Sequence, residues 1–203
     1  NVIMTGITIK DMVSILREYN ITIRGVDIDP DTFEHDPADI ISKVDSNTIA
    51  IIIVQLFGNR SSLHYFKEIK KKYPHILLIE DAAQAVGARY RGKRVGSLGD
   101  ASCFSLHPLK NLHAFGDGGM VSTNDEAICE HLIKSRNHGL RNRNECDFWG
   151  LNCRLDEIQA ALELRIILRT VRRYAVLGTL MLTILTLYAG GTALASLAGT
   201  LRR

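Results

Sequence analysis

Two residues of this 203-residue chain, Asp81 and Lys110, have the types and positions needed for chemistry in a cleft. Asp81 follows the apolar run Ile76 to Ile79 and Glu80, which predicts that it lies half desolvated at the carboxyl end of a central strand. Lys110 lies just past another predicted strand. A carboxylate at such a position favours a cationic partner, and a lysine amine in a dry site can form a Schiff base. Each residue also has an ordinary interpretation, a helix cap for Asp81 and a solvated loop amine for Lys110.

The two residues together indicate a site for pyridoxal phosphate (PLP). This cofactor needs a lysine to bind its aldehyde and an acid that faces its ring nitrogen. The acid keeps the pyridine ring protonated, and the protonated ring accepts electrons from a carbanion on the substrate. Asp81 and Lys110 therefore predict an enzyme that uses PLP.

Alternating strand and helix patterns surround both residues and predict an α/β domain with a mostly parallel sheet. Apolar β-branched runs predict buried parallel strands at Thr48 to Phe57 and Ile76 to Ile79, and the amphipathic stretch Ser61 to Tyr73 predicts a helix between them. After Asp81 the chain is rich in glycine and polar turns, where α/β proteins usually carry their chemistry. The other predicted elements are the helices Thr8 to Tyr19, Pro37 to Lys43, Asp125 to Arg136 and Leu155 to Arg173, the strands Ile21 to Ile28, Ala88 to Tyr90, Ala101 to Leu106 and Gly119 to Thr123, and a hairpin turn at Gly116 to Gly119.

Composition and charge exclude several classes of protein. The chain has 25 Lys plus Arg against 22 Asp plus Glu, a net charge of +3 and 46% hydrophobic residues. This balance is typical of a globular protein rather than a disordered or collagen-like one. The densest basic cluster is only Lys70 to Lys72, so nucleic acid binding is not indicated. The four cysteines form no CxxC pair, which favours reduced thiols in a cytoplasmic protein.

Five blocks in order along the chain resemble the signature of the DegT/DnrJ/StrS family of PLP-dependent sugar aminotransferases. The resemblance is strong from about Ile21 to Leu164. It implies the large domain of fold type I PLP-dependent transferases, with an aminotransferase core over residues 1–170. It also implies transfer of an amino group from a glutamate-like donor to the keto group of a nucleotide-linked sugar, in polysaccharide or natural-product biosynthesis. The blocks are Ile79 to Ala88, Gly96 to Asp100, Cys103 to Leu112, Gly116 to Gly119 and Gly150 to Ala161.

The same resemblance implies roles for five residues, and it implies no metal site. Lys110 is expected to form the Schiff base with PLP and then to move the proton between the substrate Cα and the cofactor C4′ carbon. Asp81 is expected to pair with the pyridine nitrogen, and Gln84, one helical turn further on the same face, to reach the ring hydroxyl. Ser105 is expected to bind the cofactor phosphate. Asn152 is expected to reach the phosphate from a neighbouring subunit, which implies a homodimer with shared active sites.

The chain also departs from the family pattern. The family's large domain is expected to begin some tens of residues before Asn1, with a turn whose backbone amides bind the phosphate. The expected position of an aromatic residue stacked on the cofactor ring reads Thr8-Ile9. In place of the small C-terminal domain stands a tail, residues 171–203. These departures leave a second hypothesis, an inactive or membrane-tethered regulatory remnant of the family.

The tail contains an apolar segment, Tyr174 to Leu201, without a single charged residue. As a helix, it would be about 42 Å long, enough to cross a hydrocarbon core of about 30 Å. Three interpretations are open: a frameshifted or non-family end, a membrane anchor, and a soluble helical hairpin broken at Gly190-Gly191. We therefore expect a cytoplasmic protein, with membrane association through residues 174–201 as the alternative.

Overall fold

The computed structural model describes residues 1–59, 64–170 and 172–173. The chain divides into two compact units, Asn1–Asp156 and Glu157–Arg203. The predicted division between an aminotransferase core and a tail at residue 170 stays a prediction. The elements of the first unit are the strands β1 (Val2–Thr5), β2 (Ile23–Val26), β3 (Ala50–Val54), β4 (Leu77–Asp81), β5 (Arg89–Tyr90), β6 (Lys93–Arg94), β7 (Ala101–Ser105) and β8 (Gly119–Thr123), the helices α1 (Lys10–Glu18), α2 (Pro37–Lys43), α3 (Phe66–Lys72) and α4 (Glu126–Ser135), and a short 3-10 turn, Leu56–Gly58.

Six strands form one mixed sheet in the order β2-β1-β3-β4-β7-β8. The pairs from β2 to β7 are parallel, and β8 is antiparallel to β7. The predicted α/β domain with a mostly parallel sheet is thus confirmed. The strand order reverses between β1 and β3, and α/β sheets bind ligands outside the carboxyl ends of strands near such a point.

The core covers both faces of this sheet. One cluster joins α2 and α3 to the sheet through Ile3, Val26, Ile40, Ile51, Ile53, Tyr65, Phe66, Ile69, Ile76 and Leu78. The second cluster joins α1 to the other face through Val2, Met4, Ala50 and Ile52, with Met12, Val13 and Leu16 packed against them. Successive residues of β1 and β3 enter opposite clusters because side chains alternate along a strand. Burial on both faces explains why these strands are continuous apolar runs.

Two helices begin at aspartate caps. The Asp36 carboxylate accepts a hydrogen bond from the Ala38 N–H at 2.8 Å, which caps α2 at the residue before the predicted start. The Asp125 carboxylate accepts from the Ile128 N–H at 3.0 Å and caps α4 in the same way. Each cap satisfies a backbone donor that the helix itself cannot pair.

The second unit is helical over residues 157–170 and 172–173, within the predicted helix Leu155 to Arg173. In the part of the chain that the structure describes, no helix is both long and apolar enough to cross a membrane. The predicted membrane segment, Tyr174 to Leu201, lies outside the described residues.

Candidate active site

Asp81 is the last residue of β4, at the carboxyl edge of the central sheet. Its side chain is 9% exposed, and one carboxylate oxygen accepts from the Ala83 N–H at 3.1 Å. The Gln55 N–H donates to the Asp81 carbonyl at 2.9 Å, which ties this strand end to the end of β3. Asp81 therefore lies where the sequence predicts. The alternative of a helix cap is wrong, because the chain continues as two tight turns rather than as a helix.

Lys110 lies in the connection between β7 and β8, five residues after β7 ends at Ser105. Its N–H donates to the His107 carbonyl at 2.9 Å, which closes a turn, and its side chain is half-buried. The predicted hairpin joins β7 and β8, which are an antiparallel pair, but its connection runs over residues 106–118 rather than over Gly116 to Gly119 alone. The longer connection gives Lys110 a place at the carboxyl edge of the sheet.

The electrostatics of Asp81 link it to Lys110. Burial raises the pKa of the Asp81 carboxyl above its usual value, because desolvation disfavours the charged form. The hydrogen bond from the Ala83 N–H and the positive charge of Lys110 both act in the opposite direction. Adjacent parallel strands end at the same edge of a sheet, so β4 and β7 bring the two predicted residues within electrostatic range of each other.

Gln84 is exposed and lies in the first of the two turns that follow β4. The turn closes with a hydrogen bond from the Ala85 N–H to the Ala82 carbonyl at 2.9 Å. The prediction that Gln84 lies one helical turn beyond Asp81 is therefore wrong, although the two residues still share the segment after β4. The Gln84 side-chain oxygen accepts from the Phe57 N–H at 2.9 Å, so this turn is attached to the turn after β3.

Ser105 ends β7 and is half-buried at the same edge of the sheet. Its hydroxyl oxygen accepts from the His107 N–H at 3.3 Å. His107 also accepts, through Nδ1, from the Leu109 N–H at 3.2 Å. Ser105 and His107 together shape the turn that carries Lys110. Binding of a phosphate by Ser105 stays a prediction.

Asn152 is exposed and lies beside the carboxyl end of α4. Its side-chain oxygen accepts from Arg154 Nε at 3.0 Å. The segment around it pairs with the chain that leaves α4, through the Leu151 N–H on the Ser135 carbonyl at 3.1 Å. These contacts fix the main chain at Asn152, and its role toward a neighbouring subunit stays a prediction.

Glu80 is a residue of this site that the sequence analysis did not single out. It is fully buried, and its Oε1 accepts from the N–H groups of Leu98 and Gly99, each at 2.9 Å. Its Oε2 accepts from the Gly96 N–H at 3.2 Å and from Gln55 Nε2 at 3.4 Å. A signal was available, because an acidic residue inside a buried strand requires hydrogen-bond donors close by. The Gly96 to Asp100 block supplies those donors.

Close packing explains the glycines of that block. A Cβ at Gly99 would lie 2.7 Å from the Leu78 carbonyl oxygen, and a Cβ at Gly96 would collide with the Phe104 ring. The Asp100 carboxylate accepts from the Leu78 N–H at 2.7 Å. Two blocks that are separate in sequence thus form one structure, which fixes the end of β4 beside Asp81.

Comparison with known proteins identifies the family. The sequence profile of the DegT/DnrJ/EryC1/StrS aminotransferase family matches residues 1–175. The chain belongs to this family. A dTDP-3-amino-3,6-dideoxy-alpha-D-galactopyranose transaminase of Aneurinibacillus thermoaerophilus is 49% identical over 137 residues, which are 68% of this chain and 38% of that protein. A pleiotropic regulatory protein of Geobacillus stearothermophilus is 47% identical over 137 residues, 68% of this chain and 37% of that protein.

Solved structures of this family have the same fold. DesV of S. venezuelae, in complex with a ketimine intermediate, has a TM-score of 0.76 and 35% identity, over 82% of this chain and 44% of that chain. This likeness confirms the predicted fold of a PLP-dependent transferase large domain, present here in part. The chain spans less than half the length of the relatives that it matches. Family members are PLP-dependent aminotransferases.

Proposed function

We propose that this chain carries the catalytic core of an aminotransferase that uses PLP and transfers an amino group to the keto group of a nucleotide-linked sugar. The observation that carries the proposal is the pair of Asp81 and Lys110. At the carboxyl edge of the sheet, burial raises the pKa of the Asp81 carboxyl and the positive charge of Lys110 lowers it. That edge is where α/β folds bind ligands.

The described residues fit the chemistry of PLP. A buried carboxyl with a raised pKa and a half-buried amine at one sheet edge suit the ring nitrogen and the aldehyde of this cofactor. The Ser105 hydroxyl, at the end of the neighbouring strand, suits its phosphate, and the Gln84 amide suits its ring hydroxyl. When bound, PLP supplies an electron sink for negative charge at the substrate Cα.

The chain's own residues would then have separate tasks. Lys110 would hold the cofactor and move one proton to and from the substrate Cα, which is general acid–base work at a fixed position. Asp81 would hold a proton on the ring nitrogen, because its carboxylate is desolvated and therefore interacts strongly with a cation. Glu80 would keep β4 and its loop in place, so that Asp81 stays aimed at the cleft.

The names of relatives support the substrate class. The Aneurinibacillus thermoaerophilus relative is a transaminase of a dTDP-linked amino sugar, and a Pseudomonas aeruginosa relative, 40% identical over 137 residues, is a UDP-2-acetamido-2-deoxy-3-oxo-D-glucuronate aminotransferase. We propose a nucleotide-linked keto sugar as the amino acceptor and a glutamate-like amino acid as the donor. We also propose a homodimer in which Asn152 reaches the phosphate bound by the partner chain.

Lysine replacement tests the proposal. The chain is incubated with PLP, reduced with borohydride and digested. The mass of the peptide that carries position 110 is then measured by mass spectrometry. We expect the cofactor mass on that peptide in the wild type and its loss in Lys110→Ala. Lys10→Ala, an exposed lysine at the start of α1, is the control and should label as the wild type does. Equal labelling of Lys110→Ala and the wild type would refute the assignment.

A further inference from the structure

Phe57 has a backbone conformation that residues with a side chain rarely adopt. It lies in the 3-10 turn Leu56–Gly58, directly after β3, with φ +54° and ψ +21°. The left-handed region brings Cβ too close to the backbone in L-residues. The side chain is 79% exposed, so packing of the ring does little to offset this cost. Strain of this kind is a reason to look for function in the turn.

The conformation directs the Phe57 N–H toward Gln84. This N–H donates to Gln84 Oε1 at 2.9 Å. The next residue, Gly58, is also left-handed, at φ +74°, and a Cβ there would lie 3.4 Å from the Gln84 carbonyl oxygen. The turn after β3 is therefore built against the turn after β4, at the edge of the sheet that carries Asp81.

The hydrogen bond decides which end of the Gln84 amide is free to act. A side-chain amide has an oxygen that accepts and a nitrogen that donates. Because a backbone N–H must face an oxygen, Phe57 fixes Oε1 and leaves Nε2 as the outward donor. A hydrogen-bond donor stabilises the anionic ring oxygen of PLP. The flipped amide would instead place its own oxygen against that ring oxygen, and the two would repel each other.

We propose that Phe57 is a positioning residue of the cofactor site, whose N–H fixes the Gln84 amide so that Nε2 donates to the ring oxygen of PLP. The inference rests on the proposed function, in which Gln84 binds that oxygen. The strained turn thus orients one amide, and it does so through the Phe57 backbone rather than through the ring.

The test measures PLP affinity by absorbance titration and the pH at which the visible band of bound cofactor changes. Gln84→Glu keeps an oxygen for the Phe57 N–H but has no donor, so we expect affinity at least about tenfold weaker and a band that changes at higher pH. Phe57→Pro removes the N–H and cannot adopt φ +54°, so it should weaken binding in the same way. Phe57→Gly keeps both features and should restore the binding that the proline variant loses.

Asn20→Pro is the matched control. Asn20 is another left-handed residue, at φ +55°, whose N–H donates to the Arg17 carbonyl at 2.9 Å after α1. It should lose stability without a change in the visible band. Wild-type binding and band pH in a folded Phe57→Pro would overturn the inference. The same result in Gln84→Glu would also overturn it, because it removes the contact that Phe57 is proposed to orient, and this test remains where Phe57→Pro does not fold. Failure of the wild type itself to bind PLP would instead refute the proposed function.

Discussion

Replacing Glu80 with Gln removes one negative charge and one of two acceptor oxygens from a fully buried side chain. The carboxylate accepts three backbone N–H groups, from Gly96, Leu98 and Gly99, at 2.9 to 3.2 Å. Gln has the same shape but presents an NH2 group where the second oxygen was. In its better orientation the amide oxygen of the new Gln keeps the hydrogen bonds from Leu98 and Gly99. Its NH2 group then faces two other donors, the Gly96 N–H and Gln55 Nε2, which both bind Oε2 of Glu80.

The expected loss of stability follows from these bonds. A buried N–H without an acceptor costs about 1–3 kcal/mol, and each remaining bond loses about 1 kcal/mol when its acceptor is no longer charged. The neutral amide costs less to desolvate than the carboxylate, which offsets part of this loss of stability. The net loss should be about 3 kcal/mol, a large share of the about 5–15 kcal/mol that stabilises a typical domain.

Urea unfolding followed by circular dichroism measures this loss. With a slope of about 1–3 kcal/mol per M urea, the midpoint of Glu80→Gln should fall by about 1–3 M. Glu68→Gln is the matched control, because Glu68 pairs only at the surface with Lys71, at 2.7 Å, and such pairs contribute well under about 1 kcal/mol. Trypsin should also cleave after Arg94 faster in Glu80→Gln, since β6 leads into the loosened loop. A midpoint shift no larger than that of Glu68→Gln would refute the reasoning.

Two further predictions concern a buried histidine and the proposed shared active site. His35 is 4% exposed, its Nε2 accepts from the Val54 N–H at 3.2 Å, and burial lowers its pKa to about 4. Between pH 6.5 and 4 only the unfolded chain binds this proton, so the free energy of unfolding should be highest above pH 6.5 and fall by about 3 kcal/mol on acidification to pH 4. His35→Gln should remove that part of the pH dependence of urea unfolding. An unchanged pH profile would contradict the assignment. Mixing inactive Lys110→Ala chains with inactive Asn152→Ala chains should restore part of the transaminase activity, because a mixed dimer has one site that carries neither change. If mixed dimers form and no activity returns, the active sites are not shared.

The sequence is informative about the sheet and its edge because both depend on local pattern. Continuous β-branched runs predict strands buried on both faces, and the runs at Thr48 to Phe57 and Ile76 to Ile79 contain β3 and β4. Parallel strands end at one edge, so the positions of Asp81 and Lys110 follow from topology without any knowledge of the contacts. The same reasoning fails after β4, where alanine-rich sequence favours a helix but the chain forms two turns. The first turn is attached to the turn after β3 by the Phe57 N–H and to β7 by the Ala82 N–H on the Cys103 carbonyl.

Those turns depend on partners that are distant in sequence. The Phe57 N–H and the Gln84 oxygen are 27 positions apart, and Glu80 is 16 to 19 positions from the amides that it binds. Propensity describes neighbours within a few residues, so it carries no information about such pairs. The glycines of Gly96 to Asp100 give a weak signal, because backbone that approaches a buried strand closely has no space for a Cβ.

Glu80 and Asp81 are adjacent carboxylates with opposite tasks. Successive residues of a strand point to opposite faces, so the Glu80 side chain enters the loop of Gly96 to Asp100 while the Asp81 side chain lies on the other face, at the proposed cofactor site. Glu80 binds three backbone donors, whereas Asp81 binds one and keeps a raised pKa. Gln55 Nε2 is a fourth donor to Glu80. A carboxylate whose oxygens are filled by donors holds structure in place, and one with a single donor retains capacity for a ligand cation. Loss of Glu80 should therefore weaken PLP binding through the position of Asp81, even though Glu80 itself faces away from the cleft.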